Sequence, residues 1–385
     1  MATRRHTKST APADIGGALA ENEFGATADA AREAALQQQA EASRAVRERR
    51  LMPNWKASRE RIHKLADRIK KSFVDRDDAV QGILAALISR TGCVLLGPPG
   101  TAKSLLVSSI ARECNLRLGQ EDANYFEYLL TAHTMPEEIF GPTDIGMLLQ
   151  DPPIVQRRTE SRLPHAELAF LDEVFRGGSH ILNTLLTILN ERKYHNGRVI
   201  EDVPLVGFIG AANHPPQTED LQAFYDRFPV RIWVDSVLRA GDSSMVDRAR
   251  ALVESDASNS QRAGSRDAAL SMNDFRVLWA LVRVQLGADP DAAAHGEQHA
   301  RLREFTQNFA TFQEDAGLSD RSFLQLWYFA GALDLVAGRA ANQPYAMGGR
   351  GHFDCFRYVA PTHRQLAGIR QKVTTRLSMA APGGA

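Results

Sequence analysis

Short apolar runs alternate along this chain with longer stretches in which apolar residues recur every three or four positions. The runs lie at 93–96, 125–130, 168–171, 206–211 and 230–234. They are continuous in hydrophobicity, not alternating, which is the pattern of strands buried on both faces. Over 55–90 the recurring residues are Ile62, Leu65, Ile69 and Phe73, then Val80, Ile83, Leu84 and Leu87, a helical spacing. Over 273–340 they are Phe275, Leu278, Trp279 and Val282, then Phe323, Leu326, Trp327 and Phe329. Strands alternating with helices across 52–238 predict an α/β domain, a mainly parallel sheet covered on both sides. An all-α segment over 273–379 follows it. The polar, Ser-, Ala-, Asp- and Arg-rich stretch 239–272 reads as a linker. Residues 1–51 carry almost no large apolar side chains. From Thr27 to Arg50 the composition favours helix, but its apolar positions are mostly alanine, so this extension is disordered or a polar helix laid on a partner. The tail 380–385 is expected to be disordered.

The first chemistry falls where the first strand ends. Gly97, Pro98, Pro99, Gly100, Thr101, Ala102, Lys103 and Ser104 follow Cys93–Leu96 directly, and a helix from Leu105 to Cys114 follows them. In such a strand–loop–helix arrangement successive backbone N–H groups face one concavity and cradle phosphates, aided by the helix N-terminus. Lys103 is placed to reach β- and γ-phosphates, and the Ser104 hydroxyl to ligate Mg²⁺. Ala102 stands where the pattern asks for glycine. It adds only a methyl, so nucleotide binding is expected to survive.

Two further strands end in polar residues at the edge where open α/β sheets bind ligands. Leu168–Leu171 delivers Asp172 and Glu173: the first suits a Mg²⁺ ligand, the second the activation of an attacking water. Phe208–Ala212 delivers Asn213, which can donate to a γ-phosphate and position that water. The alternatives are a solvated Asp-Glu pair capping the next helix and an asparagine opening the Asn-His-Pro-Pro turn.

These motifs, in this order, resemble the MoxR family of AAA+ ATPases. The resemblance is carried by the loop 97–104, by Leu171-Asp-Glu-Val-Phe-Arg176, and by the run from Ile181 to Arg192. Phe126–Leu130, Pro136–Pro142 and Tyr225-Asp-Arg-Phe228 add to it. Within the family the RavA group is nearest, since its loops also carry alanine before the lysine. The likeness covers about 60–340. It implies an AAA+ P-loop domain with a helix-2 insert, followed by an all-α lid. It implies ATP and Mg²⁺ as cofactors, Arg227 as an arginine finger acting on a neighbouring subunit, and Arg321 as the sensor 2 residue coupling the lid to the γ-phosphate. Glu127 resembles the polar residue that restrains the catalytic glutamate. Two inserts, 142–167 and 192–205, match hairpins that project toward a pore or partner, and Asn196-Gly197 marks a hairpin turn. Arg157, Arg158, Tyr194 and Arg198 on these inserts are candidate contacts to polypeptide or nucleic-acid backbone. Solvated loops are the equal alternative.

Composition narrows the function. With 46 basic and 46 acidic residues, the net charge is zero, so no overall basic field draws in nucleic acid. Three scattered cysteines, Cys93, Cys114 and Cys355, give neither a disulfide framework nor a zinc site and point to a reducing cytoplasm. Histidines 133, 165, 195 and 214 have no metal-ligand spacing. No apolar run approaches the roughly 18 residues of a membrane helix, and no apolar region after Met1–His6 marks a signal peptide. The expectation is a Mg²⁺-dependent ATPase that assembles as a homo-oligomer, a hexameric ring, and remodels or matures protein partners. The resemblance implies a partner with a von Willebrand factor A domain and its own metal site. A nucleic-acid-directed ring motor or helicase is the alternative, as is a nucleotide-switched interaction protein of a defence or stress system. A small-molecule kinase has no place for Arg227, Arg321 or the lid.

Overall fold

The computed structural model describes residues 54–118, 123–151, 153–237, 270–283, 286, 295–337 and 354–380. The extension 1–51, the linker up to residue 269 and the tail beyond residue 380 lie outside the described residues.

Five parallel strands form the central sheet: β1 (Cys93–Leu96), β2 (Tyr125–Leu129), β3 (Leu168–Asp172), β6 (Gly207–Ala212) and β7 (Val230–Trp233). Their spatial order is β2-β3-β6-β1-β7. All five were legible as apolar runs, with ends within one residue of those expected. Alternate residues feed opposite faces. Cys93 and Leu95 of β1, Leu168 and Phe170 of β3, and Ile209 and Ala211 of β6 enter one core. Val94 and Leu96, Ala169 and Leu171, and Phe208 and Ala212 enter the other.

The first face is covered by α1 (Trp55–Ser72), α2 (Asp77–Ser89) and α3 (Lys103–Glu113), which bury Ile62, Leu65, Val80, Ile83, Leu106 and Ile110. The second carries α4 (Pro136–Phe140) and α6 (Ser179–Glu191), which bury Ile139, Phe140, Ile181 and Leu185. A short α5 (Ile145–Leu148) lies between α4 and β3 in the chain, and α7 (Glu219–Tyr225) between β6 and β7. The C-terminal helices α8 (Met272–Arg283), α9 (His295–Ala316), α10 (Asp320–Val336) and α11 (His363–Ala380) complete the first core. There α10 packs along α2, and α8 packs against α1 and α2. Asp274 of α8 accepts from Ser58 Oγ at 2.7 Å and pairs with Arg61, tying α8 to α1. No described helix is long and apolar enough to cross a membrane.

The two inserts dock on one another. Residues 192–205 form an antiparallel hairpin of β4 (Lys193–Asn196) and β5 (Val199–Asp202). Its turn is Gly197-Arg198, not Asn196-Gly197. Gly197 takes φ +66°, and a Cβ there would lie 2.1 Å from the Val155 carbonyl oxygen. Positive φ at the first central residue is the place a II′ turn gives to glycine. Asn196 is instead buried and holds the other insert. Its Oδ1 accepts from Arg157 N at 2.7 Å, and its Nδ2 donates to Arg157 O at 2.9 Å. Glu201 joins this link through Asn196 Nδ2 and Thr159 Oγ1. Three expected contact residues are therefore used internally. Arg157 donates to Glu137 and to Gly141 O, Arg158 to Asp144, and Tyr194 stacks on Phe140 at 5.5 Å. Side chains presented outward include Arg198 and the apolar Ile145, Leu149, Val155 and Ile200, with Leu149 80% exposed.

Candidate functional site

The loop after β1 is shaped by close backbone approach. A Cβ on Gly97 would lie 2.0 Å from the Val234 carbonyl oxygen, so only glycine fits. Gly100 takes φ +77°, and Thr101 Oγ1 donates to Pro98 O at 2.9 Å, closing the turn. Ala102 occupies the left-handed region at φ 63°, ψ 28°. Backbone handedness thus explains why this slot favours glycine, beyond the crowding of phosphates read from the sequence. Leu105, one turn into α3, is exposed at the helix surface.

Lys103, Ser104, Asp172, Glu173 and Asn213 converge at the C-terminal edge of the sheet. Lys103 Nζ donates to Gly97 O at 2.7 Å, to Pro98 O at 3.0 Å and to Asn213 Oδ1 at 3.3 Å. Asn213 Nδ2 donates to Glu173 Oε1 at 2.5 Å, and Arg176 Nε lies 3.4 Å from Glu173 Oε2. Ser104 Oγ donates to Asp172 Oδ2 at 3.0 Å, while Asp172 Oδ1 accepts from Glu173 N at 2.9 Å. Burial pulls the Lys103 ammonium below its ordinary pKa; Asp172 and Glu173 oppose that shift. Glu173 itself sits at φ 50°, ψ 44°, a strained backbone position of the kind that clusters at functional sites. The Ser104 hydroxyl and the Asp172 carboxylate bring hard oxygen donors together, the donor set that suits Mg²⁺.

Glu127 accepts from Tyr125 Oη at 2.9 Å, while the Glu173 carboxylate meets Asn213 and Arg176. The restraint expected of Glu127 is therefore occupied by Asn213. Sequence reasoning also missed Arg76. This buried side chain donates through Nη2 to Thr101 O at 3.2 Å and to Asp235 O at 2.9 Å, pinning the loop to the chain after β7. No local pattern marks such a bridge between residues remote in sequence. Beside it lies a cavity of about 110 Å³ lined by Asp75, Asp78, Trp233, Asp235, Ser236 and Arg370.

Arg227 and Arg321 are not brought to this network. They lie together at the opposite, N-terminal edge. A Cβ on Gly92, the residue before β1, would be 3.1 Å from Arg227 O. Arg321 Nη1 donates to Asn190 Oδ1 at 3.3 Å, at the end of α6. Burial lowers the Arg227 pKa, and the charge of Arg321 lowers it further. Arg227 Nε is buried without a hydrogen-bond partner among the described residues. The turn holding it is braced by the strand that follows. Arg231, fully buried in β7, donates to Phe228 O at 3.1 Å and to Ala316 O at 2.8 Å, and its guanidinium stacks on the Tyr225 ring at 4.2 Å.

A model of the MoxR domain found in MoxR–vWA–beta-propeller ternary systems matches residues 60–272. Two uncharacterized proteins of Methanocaldococcus jannaschii are each 44% identical to this chain over 171 and 170 residues. Those matches cover 44% of this chain and 43% of each relative. A structural protein of the Acidianus two-tailed virus is 30% identical over 210 residues, 50% of this chain and 33% of its own length. The chain thus spans less than half the length of these relatives. Among solved structures, a candidate ATPase from Cytophaga hutchinsonii matches with a TM-score of 0.57 at 18% identity, over 85% of this chain and 96% of that one. At that identity the likeness carries the fold alone, a parallel α/β sheet domain with a helical C-terminal region.

Proposed function

The chain belongs to the MoxR family of AAA+ ATPases, and from that membership and the geometry of its loop we propose that it hydrolyses ATP with Mg²⁺. The observation that carries this reading is the linked set Lys103–Asn213–Glu173 beside Ser104–Asp172. The loop N–H groups and Lys103 bind the β- and γ-phosphates, and Arg76 keeps the loop in place. Ser104 and Asp172 would hold Mg²⁺, which supplies positive charge against the phosphates. Glu173, oriented by Asn213, aligns a water with the γ-phosphorus and accepts its proton. The new P–O bond forms as the bond to the bridging oxygen breaks, releasing ADP and phosphate. The cavity beside Trp233 is within reach of the loop and suits the base.

Arg227 and Arg321 act on the nucleotide of a neighbouring subunit, which makes the working form a homo-oligomer, read from the family as a hexameric ring. Arg321 is thus assigned with Arg227 to the neighbour rather than to its own subunit's γ-phosphate. The product of the cycle is a remodelled protein partner. The family description points to a von Willebrand factor A protein and a β-propeller protein as partner classes. The loop's Ala102 supports the RavA-like reading. The joined inserts, with Leu149, Val155, Ile145 and Ile200 outward, are the surface we assign to partner contact.

Glu173→Gln tests the chemistry. The variant should bind ATP with unchanged affinity and fail to turn it over in a single-turnover assay. Normal single-turnover hydrolysis would rule Glu173 out as the activating residue.

A further inference from the structure

The last turn of α6 touches one arginine of the N-terminal edge and the turn that backs the other. Exposed Asn190 accepts from Arg321 at 3.3 Å. Two residues on, Arg192 ends the helix in the left-handed region at φ 55°, ψ 35°. Its side chain turns inward: Nη2 donates to Arg90 O at 3.0 Å, and Nη1 is buried with no hydrogen-bond partner among the described residues. Burial lowers this guanidinium to a pKa of about 10. The arrangement is doubly unfavourable, through backbone strain and lost hydration. An apolar side chain of similar volume would pack without the second cost.

The carbonyl that Arg192 holds begins a turn, Arg90–Gly92, shared by three elements. Gly92 lets the Arg227 backbone approach, since a Cβ there would stand 3.1 Å from Arg227 O. Thr91 Oγ1 donates to Gln325 O at 3.4 Å, in the same helix as Arg321. Arg192 therefore clamps the surface on which Arg227 rests, and Asn190 holds Arg321 directly. The other end of α6 follows Glu173 through the short helical turn Val174–Arg176. Its 13 residues span about 20 Å, joining the edge that carries Glu173 to the edge that carries the arginines. The hairpin of β4 and β5 starts at Lys193, immediately after the clamp.

We propose that Asn190 and Arg192 are positioning residues for Arg321 and Arg227, so that α6 links the nucleotide site a subunit carries to the arginines it presents to its neighbour. A displacement of the joined inserts then reaches the arginines through Arg192. The inference rests on the ATPase reading given above.

The test uses the full-length chain with Arg192→Met, Asn190→Ala and, as reference, Arg227→Ala. Each variant's kcat and ATP Kd are measured alone and after mixing with Lys103→Ala subunits, which keep their arginines but lack the phosphate-binding lysine. Displacing a catalytic group by about 1 Å can cost on the order of 100-fold in rate. Arg192→Met should therefore lose at least tenfold in kcat, and Asn190→Ala about threefold or more, with Kd unchanged. Mixing should restore turnover for both, because Lys103→Ala subunits then present intact arginines to intact loops. Asn190 is exposed, so its variant decides the matter if Arg192→Met does not fold. Wild-type kcat in Asn190→Ala, or losses that mixing fails to restore while Arg227→Ala is restored, would overturn the proposal and leave the ATPase reading standing. Full turnover by Arg227→Ala would remove the role of that arginine, and the proposal with it, and would also leave the ATPase reading standing.

Discussion

The two edges of the sheet hold equally unusual backbone but treat their polar groups in opposite ways. At the C-terminal edge Ala102 and Glu173 are left-handed; at the N-terminal edge Arg90 and Arg192 are. At the first, each charged side chain is met by backbone or polar partners: Lys103 has three acceptors, Asp172 two donors, and Glu173 both Asn213 and Arg176. At the second, buried nitrogens of Arg192 and Arg227 have no hydrogen-bond partner among the described residues, and Arg227 and Arg321 repel. Buried donors without acceptors cost about 1–3 kcal/mol each. The Arg227 and Arg321 charges, held close enough to repel, are the feature of this edge that an anion would relieve. In the proposed oligomer that anion is the neighbour's nucleotide.

The sharpest way to break this contrast is Arg227→Ala. If the N-terminal edge serves a neighbour, kcat should fall by about 10³-fold or more, the lower range for an arginine finger. Equilibrium ATP binding and assembly, followed by fluorescent-nucleotide titration and sedimentation, should not change. A weakened Kd with unchanged kcat would place Arg227 in its own subunit's site and erase the distinction between the edges. Lys103→Ala is the matching change on the other side. Charge-assisted hydrogen bonds contribute about 1.5–3 kcal/mol, so ATP affinity should drop roughly 10- to 100-fold. The protein should remain folded, since Lys103 bonds only to the loop and Asn213. Retention of wild-type affinity would mean that the loop is not the phosphate cradle.

How much of this contrast was readable from the chain follows from the range of each interaction. The C-terminal edge was legible almost whole. Each of its residues follows an apolar run, directly or through the short loop 97–102, and a parallel sheet brings strand ends together whatever the intervening chain does. The N-terminal edge was legible only as two arginines beside aspartates. Their meeting depends on α10 lying along α2 and on α6 ending at Arg90, contacts between residues 102 and 234 apart in sequence. Arg192 was part of a recognised run, yet nothing in that run signals that its side chain is buried. Asn196 misled for a related reason. Asn-Gly is a good turn signal, but the docked partner segment gave the asparagine two backbone bonds to Arg157 and moved the turn one residue on. Local propensity yields when a buried amide can be fully satisfied elsewhere.

The smallest expected effect probes whether strain at the satisfied edge is structural. Ala102 is left-handed at φ 63° and exposed, so its methyl is not part of the packed core. Holding an L-residue there costs about 1–2 kcal/mol. Ala102→Gly relieves that strain but frees the unfolded chain, which returns about 0.4–1 kcal/mol. The net should be stabilisation of about 0.5–1 kcal/mol, a rise of roughly 1–3 °C in a thermal melt. ATP affinity should stay within about threefold, because the phosphate-facing N–H groups and Lys103 keep their positions. A fall in Tm would show that the methyl makes a stabilising contact which the φ value hides. A large loss of affinity would show that the strained alanine sets the loop's shape. In that case the two edges would differ less than their hydrogen bonds imply, each depending on left-handed residues to hold its donors in place.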